Sequence, residues 1–162
     1  MKGVKETLLG LVIADIEKQI ATSEQGRQDS IEESKAHKGA MASRYDTFKE
    51  EAQYLAGGFA ARIQELSSQL AALKSMRTRL AANSKVSGGA IVEVEDIDTG
   101  TKTKYFLLPY GGGNAYEVNG ERYSTLTIQA PLARILFGKE ERDEVEITIQ
   151  GTTKRLLIVS VS

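Results

Sequence analysis

Leu66-Ser-Ser-Gln-Leu-Ala-Ala-Leu73, then Ala82-Asn-Ser-Lys-Val-Ser-Gly-Gly89, then Ala90-Ile-Val-Glu-Val-Glu-Asp-Ile97 carry the decision about the fold. In the first stretch leucines return every three or four residues, the spacing of one helix face. In the third, β-branched residues alternate with acids, the period of a half-buried strand. The polar, glycine-ended stretch between them marks where a helical half of the chain ends and a sheet begins.

Working back towards the N-terminus, Phe48, Ala52, Leu55, Phe59, Ile63, Leu66, Leu70, Leu73 and Leu80 form one apolar seam. Leu9, Ile13, Ile16 and Ile20 form another. Such narrow seams with polar flanks are the coiled-coil pattern. Both prolines, Pro109 and Pro131, lie in the other half of the chain. Between the seams the polar run from Asp29 to Asp46 predicts an antiparallel hairpin over Val4 to Leu80 that turns between His37 and Ser43. Ser43 followed by Asp46 resembles a capping box at the start of the second helix. Arms of about 35 residues would each reach on the order of 50 Å; one unbroken helix that dimerises is the structural rival. Gly57 and Gly58 interrupt the second seam, and close approach to the facing helix is the expected reason, a kink the alternative.

Working forward, Asp98-Thr-Gly-Thr101 turns the first strand into Lys102-Thr-Lys-Tyr-Phe-Leu-Leu108. Asn119-Gly120 and Gln150-Gly151 mark two further hairpins. Pro131-Leu-Ala-Arg-Ile-Leu-Phe-Gly138 has proline at the first helical position and glycine just past the end, which predicts one short helix. The expected fold class is α+β: an N-terminal antiparallel coiled-coil hairpin over 1–82, a linker over 83–89, and a small, mainly antiparallel β-domain over 90–162.

The chain has 162 residues, 21 basic and 22 acidic, no cysteine and one histidine, His37. Thiolate metal sites, disulfides, cysteine nucleophiles and histidine triads are therefore disfavoured. A net charge of -1 argues against a surface given over to nucleic acid. With no membrane-length apolar run and no signal peptide, a cytoplasmic protein is expected, with no membrane partner. Gly111-Gly-Gly113 lacks the Lys-Ser/Thr of a phosphate loop and is expected to end a hairpin. Lys74, Arg77, Arg79 and Lys85 form a basic patch that suits a helix C-terminus and could also face a nucleic acid or a protein.

Val92-Glu-Val-Glu-Asp-Ile-Asp-Thr-Gly100, Ala130-Pro-Leu-Ala-Arg-Ile-Leu-Phe-Gly-Lys139, Asp143-Glu-Val-Glu-Ile147 and Arg155-Leu-Leu-Ile-Val-Ser-Val161 resemble the C-terminal domain of the Gre-type transcription elongation factors. Arg62-Ile-Gln-Glu-Leu66 is similar to a motif of that family's second coil helix. The resemblance implies an FKBP-like β-domain that docks on bacterial RNA polymerase, and a coiled coil that enters the polymerase secondary channel. Acidic residues at the tip would there help hold a catalytic Mg²⁺, so that the polymerase cleaves backtracked RNA. It implies no cofactor other than that polymerase Mg²⁺, no metal site of its own, indirect contact with nascent RNA or DNA, and a monomer. The chain would be no enzyme, at most an accessory factor for cleavage.

The family's tip string, of Gly-Asp-Leu-x-Glu-Asn-Ala-Glu-Tyr type, does not occur in this chain. The tip acids to consider are Asp46, Glu50 and Glu33, with Glu32 nearby, among Lys35, Lys38, Arg44 and Lys49. They admit two readings, a solvated helix end or carboxylates directed at the metal. The docking segment is Gln129, Ala130, Pro131 and Arg134, where the family tends to have Asx-Ser-Pro. An alternative function is an adaptor or chaperone-like module with a coiled-coil oligomerisation surface. An FKBP-type isomerase is weaker, since no tryptophan exists to floor a proline pocket.

Overall fold

The computed structural model describes residues 2–36 and 42–162, with the side chains of 2, 34–36 and 42–45 left aside. Two helices of 35 residues each come first, α1 (Lys2–Ala36) and α2 (Ala42–Met76), followed by a single 3-10 turn at Arg77–Arg79. They make the expected helical hairpin. The turn expected between His37 and Ser43 falls largely outside the described residues. Because α2 already includes Ala42, Ser43 lies inside its first turn rather than ahead of it as a cap.

The second half contains β1 (Ile91–Asp96), β2 (Lys102–Leu108), β3 (Ala115–Val118), β4 (Glu121–Thr127), α3 (Pro131–Leu136), β5 (Glu144–Ile149) and β6 (Thr152–Val161). They form one six-stranded sheet in the order β3-β4-β2-β1-β6-β5. The hairpins lie where the turn residues place them. Asp96 Oδ1 accepts the backbone N–H groups of Asp98 and Thr99, which tightens the β1–β2 turn. At Asn119-Gly120 and Gln150-Gly151 both residues take positive φ, the signature of a two-residue turn whose twist matches its strands. One pairing was not foreseen: β4 lies parallel to β2. The β3–β4 hairpin returns across the sheet edge through the Gly111–Asn114 segment, where Thr125 Oγ1 donates to the Gly111 carbonyl and accepts the Asn114 N–H.

By contacts the chain divides into two compact units, Met1–Val12 with Ala72–Ser162, and Ile13–Ala71. In the first unit one face of the sheet buries Val92, Val94, Leu107, Val145, Ile147, Leu156 and Ile158 against Ala133 and Leu136 of α3. Val86 joins this core at 1% exposure. The segment 83–89 is thus held by more than its ends: Val86 exchanges backbone hydrogen bonds with Gly138 and Lys139. Leu8, Leu9, Val12, Leu73 and Leu80 are also buried in this unit. A Cβ on Gly111 would come within 2.6 Å of a Val12 methyl, so that glycine is required by close approach. Leu8 and Val12 lie off the seam expected for α1.

Lys5 is the most unusual member of this unit. Its side chain is fully buried, and Nζ donates to the Ala81 carbonyl at 2.7 Å. Desolvation lowers its pKa from 10.5 to about 8.

In the second unit Ile13, Ile16 and Leu66 are buried, Phe59 and Ile63 are half-buried, and Leu55 is half exposed to solvent. The second seam therefore does not hold at Leu55. The close approach expected at Gly57 and Gly58 is corrected too: a Cβ at either would meet nothing within 4 Å. It occurs at Gly26 of α1 instead, where a Cβ would lie 2.7 Å from the Phe59 ring. A bulky ring needs a gap opposite it, and Gly26 supplies the gap.

Gly57→Ala and Gly58→Ala should each raise stability by up to about 1 kcal/mol, since a better helix former is placed in open space. Gly26→Val should lower it by displacing Phe59; thermal unfolding followed by circular dichroism separates the two cases.

Burial of Lys5 makes the stability of the fold depend on pH. Its folded-state pKa is depressed, so the unfolded chain holds more protons between pH 8 and 10.5. The group destabilises the fold fully below pH 8, and this penalty, on the order of 3 kcal/mol, disappears as pH rises to 10.5. Lys5→Met should therefore be more stable than the parent at pH 7, with an advantage that shrinks through that window. Parallel stability curves for the two proteins across this range would contradict it.

Candidate functional site

The two groups of candidate residues lie on different elements. Asp46 and Glu50 are exposed on α2 one helical turn apart, and that i, i+4 spacing puts both carboxylates on one face. Glu33 is exposed on α1, three residues before its last residue, Ala36. Glu32 lies beside it, at the edge of hydrogen-bond distance from Gln28. Asp46, Glu50 and Glu33 have no ion pair or hydrogen bond among the described residues. His37 lies outside the described residues. No group of three or more metal-ligating side chains occurs among the described residues. Any cation these acids touched would need ligands from elsewhere, because a hard cation requires several oxygens.

The second group is set by α3. Ala130 is its extended N-cap, with φ -62° and ψ 146°, and Pro131 occupies the first turn, where a missing N–H costs nothing. Ala133 and Leu136 face the core, which turns Pro131 and Arg134 outward. Gln129 is exposed beside them. Phe137, 54% exposed and three residues after Arg134, extends this surface with an apolar ring. It was not singled out from the sequence, although a phenylalanine directly before the helix-ending Gly138 has little core left to enter. Beside α3, Val94, Thr103, Tyr105, Leu132, Ile147 and Leu156 line a shallow recess bounded by Asp96 and Lys154.

Several charged groups elsewhere make contacts that hold strands or turns together. Lys104 and Tyr123 both donate to Glu121 Oε2, and the Lys104 ammonium lies 5.5 Å from the Tyr123 ring centroid. The hydrogen bond from Lys104 holds the Glu121 carboxyl below its ordinary range, the same contact raises Lys104, and burial raises Tyr123. This cluster ties β4 to β2. In the basic patch, Lys85 pairs with Glu140 at 3.2 Å, and Arg79 donates to Ser75 Oγ at 3.0 Å. No described helix is long and apolar enough to cross a membrane.

Comparison with known proteins agrees with this arrangement. The family described as "Transcription elongation factor, GreA/GreB, C-term" matches residues 81–162. A transcription elongation factor GreA of Nitratidesulfovibrio vulgaris is 36% identical over 106 residues, covering 65% of this chain and 62% of that protein. One of Sulfurovum is 34% identical over 111 residues and is matched over 65% of its length, so the chain spans a little under two thirds of these two relatives. GreA of Methylococcus capsulatus is 34% identical over 128 residues, covering 75% of this chain and 77% of that protein. Among solved structures, GreA factor homolog 1 of Thermus thermophilus aligns over 93% of this chain and 94% of its own, at 14% identity and a TM-score of 0.39. The family match takes in every strand of the sheet together with α3, and the M. capsulatus relative extends the likeness into the hairpin; the chain belongs to the GreA/GreB family of transcription elongation factors.

Proposed function

We propose that this chain is an elongation regulator that binds bacterial RNA polymerase, with its coiled coil in the secondary channel. Membership of the GreA/GreB family is the observation that carries this reading. The outward face of α3 supports it: Gln129, Ala130, Pro131 and Arg134 form the docking segment, and Phe137 adds an apolar anchor of the kind that dominates binding energy at interfaces. The chain has no catalytic apparatus of its own in this reading and acts through the polymerase active site.

At the other end of the mechanism are Asp46 and Glu50, with Glu33 on the facing helix. Carboxylates are hard anionic ligands suited to Mg²⁺, and two-metal cleavage needs oxygen ligands that hold the second ion while water attacks the phosphodiester. Exposed side chains one turn apart on a helix can deliver two such oxygens into a pore. The Mg²⁺ belongs to the polymerase. Nascent RNA is contacted only where the backtracked 3′ end lies near the tip.

Arg134→Glu should weaken binding of the full chain to core polymerase by about tenfold or more, because it reverses a charge on the docking face. The double variant Asp46→Asn, Glu50→Gln should bind within about twofold of the parent and lose stimulated cleavage in stalled complexes, since amides keep the shape but not the charge. Unchanged binding by the first variant would show that docking lies elsewhere. If the parent gives no cleavage above that of polymerase alone, the acids are not metal ligands, and the chain regulates by occupying the channel.

A further inference from the structure

Midway along α2 a surface remains that the hairpin does not use. Tyr54 is 84% exposed and Leu55 51% exposed, and with Glu50 and Glu51 they line a shallow, mostly apolar recess. One turn further on, Gly57 and Gly58 are exposed, with nothing within 4 Å of a Cβ at either. Each glycine costs a helix interior about 1 kcal/mol relative to alanine, and packing against α1 does not explain them. A large aromatic knob therefore stands four residues before a hole in the same helix.

Glu50, Tyr54, Gly58 and Arg62 follow at intervals of four, which places them along one ridge of the helix surface. That ridge is complementary to itself. When two copies of α2 cross antiparallel about a twofold axis at the level of Ala56, the Tyr54 ring of one covers Gly58 of the other, Glu50 faces the second Arg62, and the two Leu55 side chains lie together on one flank. The Tyr54 and Glu50 contacts then each occur twice, as an isologous interface requires. Among the described residues Arg62 bonds only Glu65 of its own helix, at 3.1 Å, with both groups about half exposed; such a surface pair is worth little and exchanges readily.

We infer that this face of α2 is a self-association surface and that its occupant is a second copy of this chain. Charge sets the register, because the same ridge carries an acid at one end and a base at the other. Paired in parallel it would put Glu50 against Glu50 and Tyr54 against Tyr54, so the antiparallel arrangement is selected. The patch is small beside the roughly 1,000 Å² of a stable interface, so the dimer is weak. At low concentration the chain is the monomer expected from its sequence.

Sedimentation velocity of the full chain, from about 5 to about 500 µM, should show a monomer passing into a dimer. Gly58→Leu fills the hole and should remain monomeric across that range while melting at a higher temperature than the parent, which separates lost association from lost folding. Glu50→Arg and Arg62→Glu should each weaken the dimer at least tenfold, and the double variant should restore it, because the swapped charges meet again across the twofold axis. A parent that stays monomeric throughout would overturn the inference, as would a Gly58→Leu dimer of undiminished strength or a double variant no better than the singles. The readout is molecular mass without polymerase present, so failure here and failure of the proposed function are distinguishable.

Discussion

Apolar side chains at the start of α1, and at the end of α2 and just beyond it, leave water together with the sheet, and the rest of the first compact unit depends on that removal. Leu8, Leu9, Val12, Leu73 and Leu80 are each at or below 7% exposure, and each fully buried side chain of this size stabilises by roughly 1.5–3 kcal/mol. Their burial is strong enough to carry Lys5 out of solvent with them, although among the described residues its ammonium then has only the Ala81 carbonyl as a partner. It also imposes a glycine at position 111, where the loop before β3 closes on Val12. Apolar burial dominates here, and the buried charge is its cost.

Much of this was legible in the sequence because local signals agreed with one another. The change from helical to alternating period, the Asn-Gly and Gln-Gly turns, and the proline-to-glycine span of α3 each specify an element without help from distant residues. Contacts between distant residues were not legible. Nothing local to Tyr105 or Ser124 states that β2 and β4 run parallel, and the Leu8 and Val12 positions were missed because a seam read along one helix does not reveal a second face. The two glycines of α2 misled for the same reason. Glycine in a helix signals something nearby, but Gly26, opposite Phe59, is the one with a neighbour.

The candidate site divides in a similar way. Pro131 and Arg134 could be located because capping chemistry fixes which face of so short a helix points outward. Phe137 could not, since its exposure depends on where the core stops. The acids Asp46 and Glu50 were singled out because the family resemblance implies acids at the tip and these lie near the expected turn, and their common face follows from their spacing alone. Whether they contact a metal depends on a partner, and a carboxylate in solvent has the same local structure in either role. The partner, rather than any contact within the chain, decides between the two roles.

The direct test is a photo-crosslinking residue placed at position 46 of the full chain, mixed with core RNA polymerase and mapped by mass spectrometry. A coil in the secondary channel predicts crosslinks to the polymerase segments that carry its catalytic Mg²⁺ ligands. Crosslinks confined to the outer surface of the polymerase, or none at all, would contradict it.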